Sequence, residues 1–412
     1  MELNAGQKKI VLLTSGQPSL NPRLVKEADA LAGAGYVVTV LYAYWNDWGT
    51  TMDDVLLPQK KWRAIRVGGH PVHKSITYFF SRVLHKVAVL SAHKFKIGFF
   101  TDWAIARSSY FLIREAKKHE AALYIGHNLG ALPATVKSAK KYQKLCGFDA
   151  EDFHRYEISD DNTDSGVILK VAVENKYIPP VNYLSTSSPC ISQAYHDLYN
   201  EMSPVTILNV FPVDESVRVP EAGNKAGIKL FWFSQTISAQ RGVGDCINAL
   251  KLLNNPAIEL HLLGYADAEI KQQLKNSAGH SVSLTFHEPI APDEIIEFAS
   301  AFDIGLAMED RTPYNRDICL TNKIFTYVQA GLAVIASNTI AQQGLINDYP
   351  GAGKIYEHGN IQSLVQAISN FYSNRDDLYS AKKASYNIAR NELNWGKESE
   401  KFIALVKETL AS

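Results

Sequence analysis

The chain alternates short apolar runs with amphipathic stretches, strand then helix, along most of its length. Lys9–Thr14 is a continuous apolar run of strand length, and the polar loop SGQPSLNPR follows it. Leu24–Ala34 then carries apolar residues at helical spacing, Gly35 stops it, and Tyr36–Tyr42 is again a strand. Similar runs recur at Ala121–Gly126, Leu145–Phe148 and Val181–Ser187, and a second series follows at Ile228–Phe233, Ile258–Leu263, Val282–Phe286, Ile304–Met308 and Leu332–Ala336. Strands that are apolar on both faces and separated by helices predict α/β domains with parallel sheets. The two series are parted by Asn209–Ala226, a stretch rich in proline and charge that reads as a linker. The expected division is an amino-terminal domain over 1–208, a linker over 209–227, a second domain over 228–385 and a terminal helical segment over 386–412.

The stretch RDICLTNKIFTYVQAGLAVIAS, Arg316 to Ser337, has the most internal structure. Thr321 stands where a helix N-cap belongs, Ile324, Phe325 and Val328 form an apolar face, and Gly331 ends the helix before the strand. The first N–H groups of such a helix lack internal partners and lie at the positive end of its dipole, which attracts anions. Lys323 adds a full charge there. A solvated surface lysine fits the same spacing.

Composition narrows the function classes. The 412 residues hold Lys+Arg 42 and Asp+Glu 42, a formal charge of zero, so no global field points to nucleic acid. The four cysteines are far apart and form no CxxC pair, which argues against structural zinc or a disulfide framework and fits a reducing cytoplasm. The amino terminus enters a strand without a signal-peptide pattern. Gly33 and Gly35 lie at the end of the first helix rather than before it, so they are not a dinucleotide fingerprint, and a nicotinamide dehydrogenase is disfavoured.

Within that balance, residues 74–118 are locally basic and aromatic. Lys74, Arg82, Lys86, Lys94, Lys96, Arg107, Arg114, Lys117 and Lys118 are opposed only by Asp102 and Glu115, and interleave with residues such as Phe79, Phe80, Phe95, Phe99 and Trp103. Basic amphipathic helices with aromatic faces suit anionic membrane surfaces. Core aromatics beside a solvated charged face fit the same pattern.

Candidate polar residues fall beyond strand ends, where open α/β sheets bind ligands. They are Gly16, Asn21 and Arg23 in the first loop, His127 and Asn128 in GHNLGALPA, and Asp149, Glu151 and Asp152 in GFDAEDFH. Carboxylates there bind sugar hydroxyls or act as acids and bases. Helix capping is the alternative role for Asp149 and Asp152.

The SSPCISQAYHDLY helix, the strand and loop FWFSQTISAQRG and the block NKIFTYVQAGLAVIAS resemble segments of GT-B glycosyltransferases, specifically family 4 of bacterial group 1 type. GHNLGALPA and GFDAEDFH resemble acceptor-domain segments of bacterial members. The resemblance implies two Rossmann-like domains facing a cleft, with a C-terminal crossover helix. It further implies a nucleotide-diphosphate sugar as donor, transfer with retention to an acceptor hydroxyl, and a glycan or lipid-linked acceptor. Arg241, Lys323, Asn322 and Gln235 match positions at the donor phosphates; Glu309, Asp317, Thr326 and Gly264 match positions near the nucleotide and sugar. His127, Glu151 and Asp152 are the implied catalytic residues, with Gly16, Asn21, Arg23, Asn128 and Asp149 at the acceptor. No DxD motif ends a strand, so neither a metal nor another cofactor is expected. The family's Glu-x7-Glu motif is absent: Ile318 and Thr326 occupy the two carboxylate positions. The implied place is the cytoplasm, peripherally at the inner face of the plasma membrane, in surface-glycan or glycolipid assembly. Two alternatives share the fold, a non-catalytic scaffold and a nucleotide-sugar epimerase.

Overall fold

The computed structural model describes residues 7–95, 98–221, 227–239 and 242–412. The chain divides into two compact units, one formed by Met1–Ile207 with Ser399–Ser412 and the other by Leu208–Glu398.

Unit 1 runs β1 (Lys9–Thr14), α1 (Pro22–Gly33), β2 (Val37–Ala43), α2 (Asp47–Leu56), β3 (Arg63–Val67), α3 (Ser75–Phe95), α4 (Gly98–Ala104) and α5 (Ser109–Ala116). It continues through β4 (Leu123–His127), α6 (Leu132–Tyr142), β5 (Leu145–Ala150), α7 (Ser165–Tyr177), β6 (Tyr183–Thr186), α8 (Pro189–Leu198) and β7 (Val205–Thr206). Its seven-stranded sheet has the order β3-β2-β1-β4-β5-β6-β7, with every pairing parallel. Ile10, Leu12, Val40, Leu123, Ile125 and Phe148 are fully buried, as expected for central strands covered on both faces.

Unit 2 runs β8 (Ile228–Thr236), α9 (Val243–Leu253), β9 (Ile258–Tyr265), α10 (Ala268–Ala278), β10 (Ser283–His287), α11 (Ile295–Ala299), β11 (Ile304–Ala307), α12 (Tyr314–Ile318) and α13 (Asn322–Gln329). Then come β12 (Ala333–Ser337), α14 (Ile340–Asp348), β13 (Gly353–Tyr356), α15 (Ile361–Ser373), α16 (Arg375–Asn391) and α17 (Trp395–Ala411), whose residues from Ser399 onward belong to unit 1. Its six-stranded parallel sheet is ordered β10-β9-β8-β11-β12-β13 around a core that includes Leu230, Trp232, Leu262, Leu306 and Ile335.

The central strands coincide with the apolar runs, and the elements the pattern missed have physical reasons. β3 and β13 are edge strands and only partly buried, so neither carries a continuous apolar run. Position 386 is no boundary: it lies inside α16, whose Leu378 and Ala381 join the unit 2 core. Residues 209–221, expected as a linker, carry no helix or strand but are held on unit 2, where Arg390 donates to the carbonyls of Asp214 and Val217 at 3.2 and 3.0 Å. Among the described residues, no helix is long and apolar enough to cross a membrane.

Candidate functional site

In unit 1 the parallel register aligns one residue from each of four neighbouring strands at their carboxyl ends. Thr14 is level with His127, His127 with Asp149, and Asp149 with Ser185. Helix α1 completes the group, because Arg23 and Glu27 are one turn apart and both turn inward. The Arg23 guanidinium grips Asp149 with two bonds, Nε to Oδ2 at 2.6 Å and Nη2 to Oδ1 at 2.7 Å, and its Nη1 donates to the Ile207 carbonyl. Arg23 Nε also lies 3.3 Å from Glu27. His127 bridges the two acids, with Nε2 at 3.2 Å from Glu27 and Nδ1 at 3.3 Å from Asp149, and Ser185 Oγ donates to Asp149 at 2.8 Å.

All four ionisable side chains are inaccessible to solvent. Burial alone would lower the His127 pKa, but Glu27 and Asp149 outweigh it and hold the imidazolium up to about 10. Burial would raise Asp149, yet Arg23 and His127 keep it well below the usual carboxylate range. Glu27 moves the other way, raised by burial and by the Asp149 charge. Glu27, His127 and Asp149 are also the one described cluster whose atoms could ligate a metal, all within 4.8 Å. Arg23 already supplies both carboxylates with a cation, so the arrangement reads as a neutralised ion network.

These facts redistribute the expected acceptor residues. Arg23 lies on α1 rather than in the loop before it, and it meets His127 and Asp149 there, but the three are taken up by one another and present no surface to an acceptor. Asn21 caps α1, accepting the Leu24 N–H at 3.0 Å. Asn128, in the left-handed region at φ 59, ties two strand ends together by accepting from Ser15 Oγ at 2.7 Å and donating to Thr14 Oγ1 at 2.7 Å. Gly16 follows Ser15 in the half-buried loop after β1, its N–H donating to Thr14 Oγ1 at 3.2 Å. Glu151 and Asp152 stay part-exposed just beyond the network. Burial and then the Asp149 charge push the Glu151 carboxyl up to about 7, the range suited to an acid or base at neutral pH. Glu27 escaped the sequence reading although a signal existed, since it sits on the apolar face of α1 with Leu24, Ala28 and Leu31.

In unit 2 the strand order reverses direction between β8 and β11, the place where open parallel sheets form a crevice. Glu309 stands just past β11 and is fixed there by Ser337 at the end of β12, whose Oγ accepts the Glu309 N–H at 3.0 Å and donates to its carbonyl at 2.8 Å. Its carboxylate accepts Lys323 Nζ at 2.7 Å and Thr321 Oγ1 at 3.0 Å. Thr321 holds the N-cap position of α13, but its side chain accepts no helix N–H; its hydroxyl donates to Glu309 instead. Lys323 is therefore half of a largely buried ion pair, and it also stands 5.8 Å from the Trp232 ring.

Asn322, the first residue of α13, accepts from Asn209 at 3.3 Å. Asp317 is bound bidentately by Arg311, both contacts 3.1 Å, and accepts the Ile340 N–H at 3.0 Å, which ties the 309–318 segment to the start of α14. Gly264 is the penultimate residue of β9, at φ +145, and a Cβ there would lie 2.0 Å from the Ser234 carbonyl oxygen. Gln235 is exposed near the end of β8, whereas Ile318 and Thr326 are buried. Arg241 lies outside the described residues. The structure thus gathers Lys323, Asn322 and Glu309 around the start of α13 and places Asp317 on the short helix α12 that precedes it.

No known family model matches the chain, and a search of curated proteins finds no match. Solved structures do match over nearly the whole length. Anabaena Alr3699/HepE, in complex with UDP, has 14% identity and a TM-score of 0.68, with 98% of this chain and 100% of that chain covered. Sucrose-phosphate synthase from Thermosynechococcus elongatus has 13% identity and a TM-score of 0.66 over 98% and 100%. WaaG, a glycosyltransferase involved in lipopolysaccharide biosynthesis, has 12% identity and a TM-score of 0.60 over 95% and 98%. With two parallel-sheet α/β units of seven and six strands and a C-terminal helix, the chain has the GT-B fold.

Proposed function

We propose that the protein is a glycosyltransferase of family 4 type, moving a sugar with retention from a nucleotide-diphosphate donor to an acceptor hydroxyl. The observation that carries this reading is the start of α13: helix N–H groups that no Thr321 side-chain cap takes up, with Asn322 and Lys323 collected with Glu309 beyond the carboxyl end of β11. HepE, of the same fold, has been solved with UDP, with UDP and glucose, and with UDP-glucose, which supports a uridine diphosphate sugar as donor. The departing diphosphate would accept from the helix N–H groups and compete with Glu309 for Lys323, and Arg241 would add a bidentate grip. Transition-state help of this kind is electrostatic.

In unit 1, Glu151 and Asp152 orient the acceptor hydroxyl, and the buried Arg23–Asp149–His127–Glu27 network positions the strand end that carries them. No resident metal or other cofactor enters this scheme. The acceptor class is a glycan or lipid-linked sugar at the inner face of the plasma membrane, in surface-glycan or glycolipid assembly.

Titration calorimetry with UDP, GDP and UDP-glucose tests the donor half. UDP is expected to bind, and Lys323→Ala to weaken it about tenfold, on the order of 1.4 kcal/mol. The buried, uncharged Ile318 and Thr326 favour one second reading, a scaffold without catalysis. Binding of neither nucleotide would sink the transferase and leave the scaffold.

A further inference from the structure

Two indoles stand in the open at the carboxyl end of the unit 1 sheet, and the scheme above uses neither. Trp45 and Trp48 are 52% and 55% accessible, in the turn AYWNDWG that leads from β2 into α2. The Arg107 guanidinium lies over the Trp45 ring, 5.0 Å from its centre, and the ring is half accessible even so, which leaves its other face for a ligand. Between the two indoles in sequence, Asp47 is exposed, and Tyr44 donates to its Oδ1 at 2.8 Å. Tyr44 is itself fixed by edge-on ring contacts with His70 and Tyr78.

The turn is held from beneath. Gln17, wholly buried, accepts the N–H groups of Trp45 and Asn46 on Oε1 at 3.0 and 2.9 Å and donates from Nε2 to Thr50 and Asp53, both at 3.1 Å. Asn46 caps α2 by accepting the Gly49 N–H at 2.7 Å, and a Cβ on Gly49 would lie 2.7 Å from Gln17 Oε1, so the helix start is packed on that amide. The Ala43 N–H donates to the Gly16 carbonyl at 3.0 Å, which joins the turn to the loop after β1. Aromatic side chains displayed on a backbone already fixed give up little entropy when a ligand arrives.

The residues beside the indoles are polar, namely Asn46, Asp47, Thr51 and Arg107, so this is no broad apolar patch of the kind that marks a protein interface. A pyranose ring meets the pattern: its C–H face packs on an indole, and a hydroxyl on its rim donates to a carboxylate. Strand order sets the reach. β2 is three strands from β5, whose end carries Glu151 and Asp152, and at about 4.8 Å per interval the separation is roughly 14 Å. One hexose is too short to touch both places, whereas a glycan of several units spans them.

We infer that Trp45, Asp47 and Trp48 form a remote subsite for an oligosaccharide acceptor, in which one pyranose unit stacks on the indoles while a unit nearer the glycan end reaches Glu151 and Asp152. The inference rests on the glycosyl-transfer reading for the second half of that span, and its test reads glycan binding and UDP binding separately so that either can fail alone.

The full chain is applied to an immobilised panel of short neutral oligosaccharides and their component monosaccharides, with UDP titrated in a separate calorimetric experiment. The wild type is expected to retain oligosaccharides and to bind the matching monosaccharides at least about tenfold more weakly. Trp45→Ala/Trp48→Ala should weaken oligosaccharide binding about tenfold or more, and Asp47→Asn by less, with circular dichroism and UDP affinity as in the wild type. Trp45→Phe/Trp48→Phe should recover much of the binding, which a merely structural role for the indoles would not predict once the alanine variant is shown to be folded. Retention of no glycan, equal binding of mono- and oligosaccharides, or unchanged binding by the folded alanine variant overturns the subsite. Concentration-dependent sedimentation that the alanine variant loses, without glycan retention, assigns the indoles to an interface between copies of the chain and likewise overturns it. Glycan retention lost with UDP binding intact leaves the donor reading standing; glycan retention without UDP binding sinks the donor reading and keeps the subsite.

Discussion

Arg23 and Asp149 show how a residue's type and its place can point in different directions. Arg23 at the start of α1 and Asp149 near the end of β5 have residue types and positions that suit ligand binding, yet both are withdrawn from solvent and joined through two short bonds. Breaking a buried pair leaves a bare charge, so Arg23→Met should cost about 3–5 kcal/mol, measurable as a lowered midpoint in urea denaturation. His127 makes a pH-dependent contribution whose sign follows from its raised pKa. Unfolded, it titrates at its ordinary value near 6.5; folded, at about 10. The stabilisation is therefore complete below about 6.5 and is lost as pH rises through 10. Urea midpoints should fall between pH 7 and 10 in the wild type, and less steeply in His127→Gln; parallel slopes would show that the network does not hold the imidazolium. Glu151 titrates near neutrality under the influence of the same network. If it prepares the acceptor as a base, transfer should rise with pH through about 7 and become flat in Glu151→Gln, read from kcat/KM profiles. The residue types of this cluster were legible in GHNLGALPA and GFDAEDFH. Their burial was not, because it depends on Glu27 of α1 and on the register that levels His127 with Asp149.

Elements carry the next level of argument. Helix α13 was readable from its apolar face and from Gly331, and its observed span, Asn322–Gln329, starts where Thr321 foretold. Its electrostatics were not readable. Lys323 looked like a bare charge at a helix start, but a carboxylate fourteen residues earlier comes to 2.7 Å only because β11 and β12 are adjacent and Ser337 pins Glu309. Strand β9 offers a sharper test of local geometry. Gly264 combines a left-handed φ with a backbone approach that leaves no room for a Cβ, so Gly264→Ala should lose about 2–3 kcal/mol. A thermal melt would detect this as a lower Tm; an unchanged Tm would mean that β8 and β9 can separate there at little cost. Edge strands β3 and β13 were missed for the reason that makes them edges: water on one side removes the need for an apolar run.

At the scale of the whole molecule, unit 1 is discontinuous in sequence, since it contains Ser399–Ser412. Phe402 and Val406 are fully buried in that terminal stretch. Phe402→Ala should therefore destabilise by about 3–5 kcal/mol, and hydrogen exchange should show the loss in β1–β7 with β8–β13 still protected. Equal loss in both sheets would mean that the units unfold together. By itself, the sequence determined the α/β class, the central strands and the helix starts, because continuous apolar runs, caps and stop glycines are local and act over a few residues. The tertiary structure alone decided which polar groups at the strand ends are partners and which meet solvent. Strand order brings together residues more than a hundred positions apart, such as Arg23 and Asp149, and within a buried environment pairing, not residue type, sets the charge each group can carry.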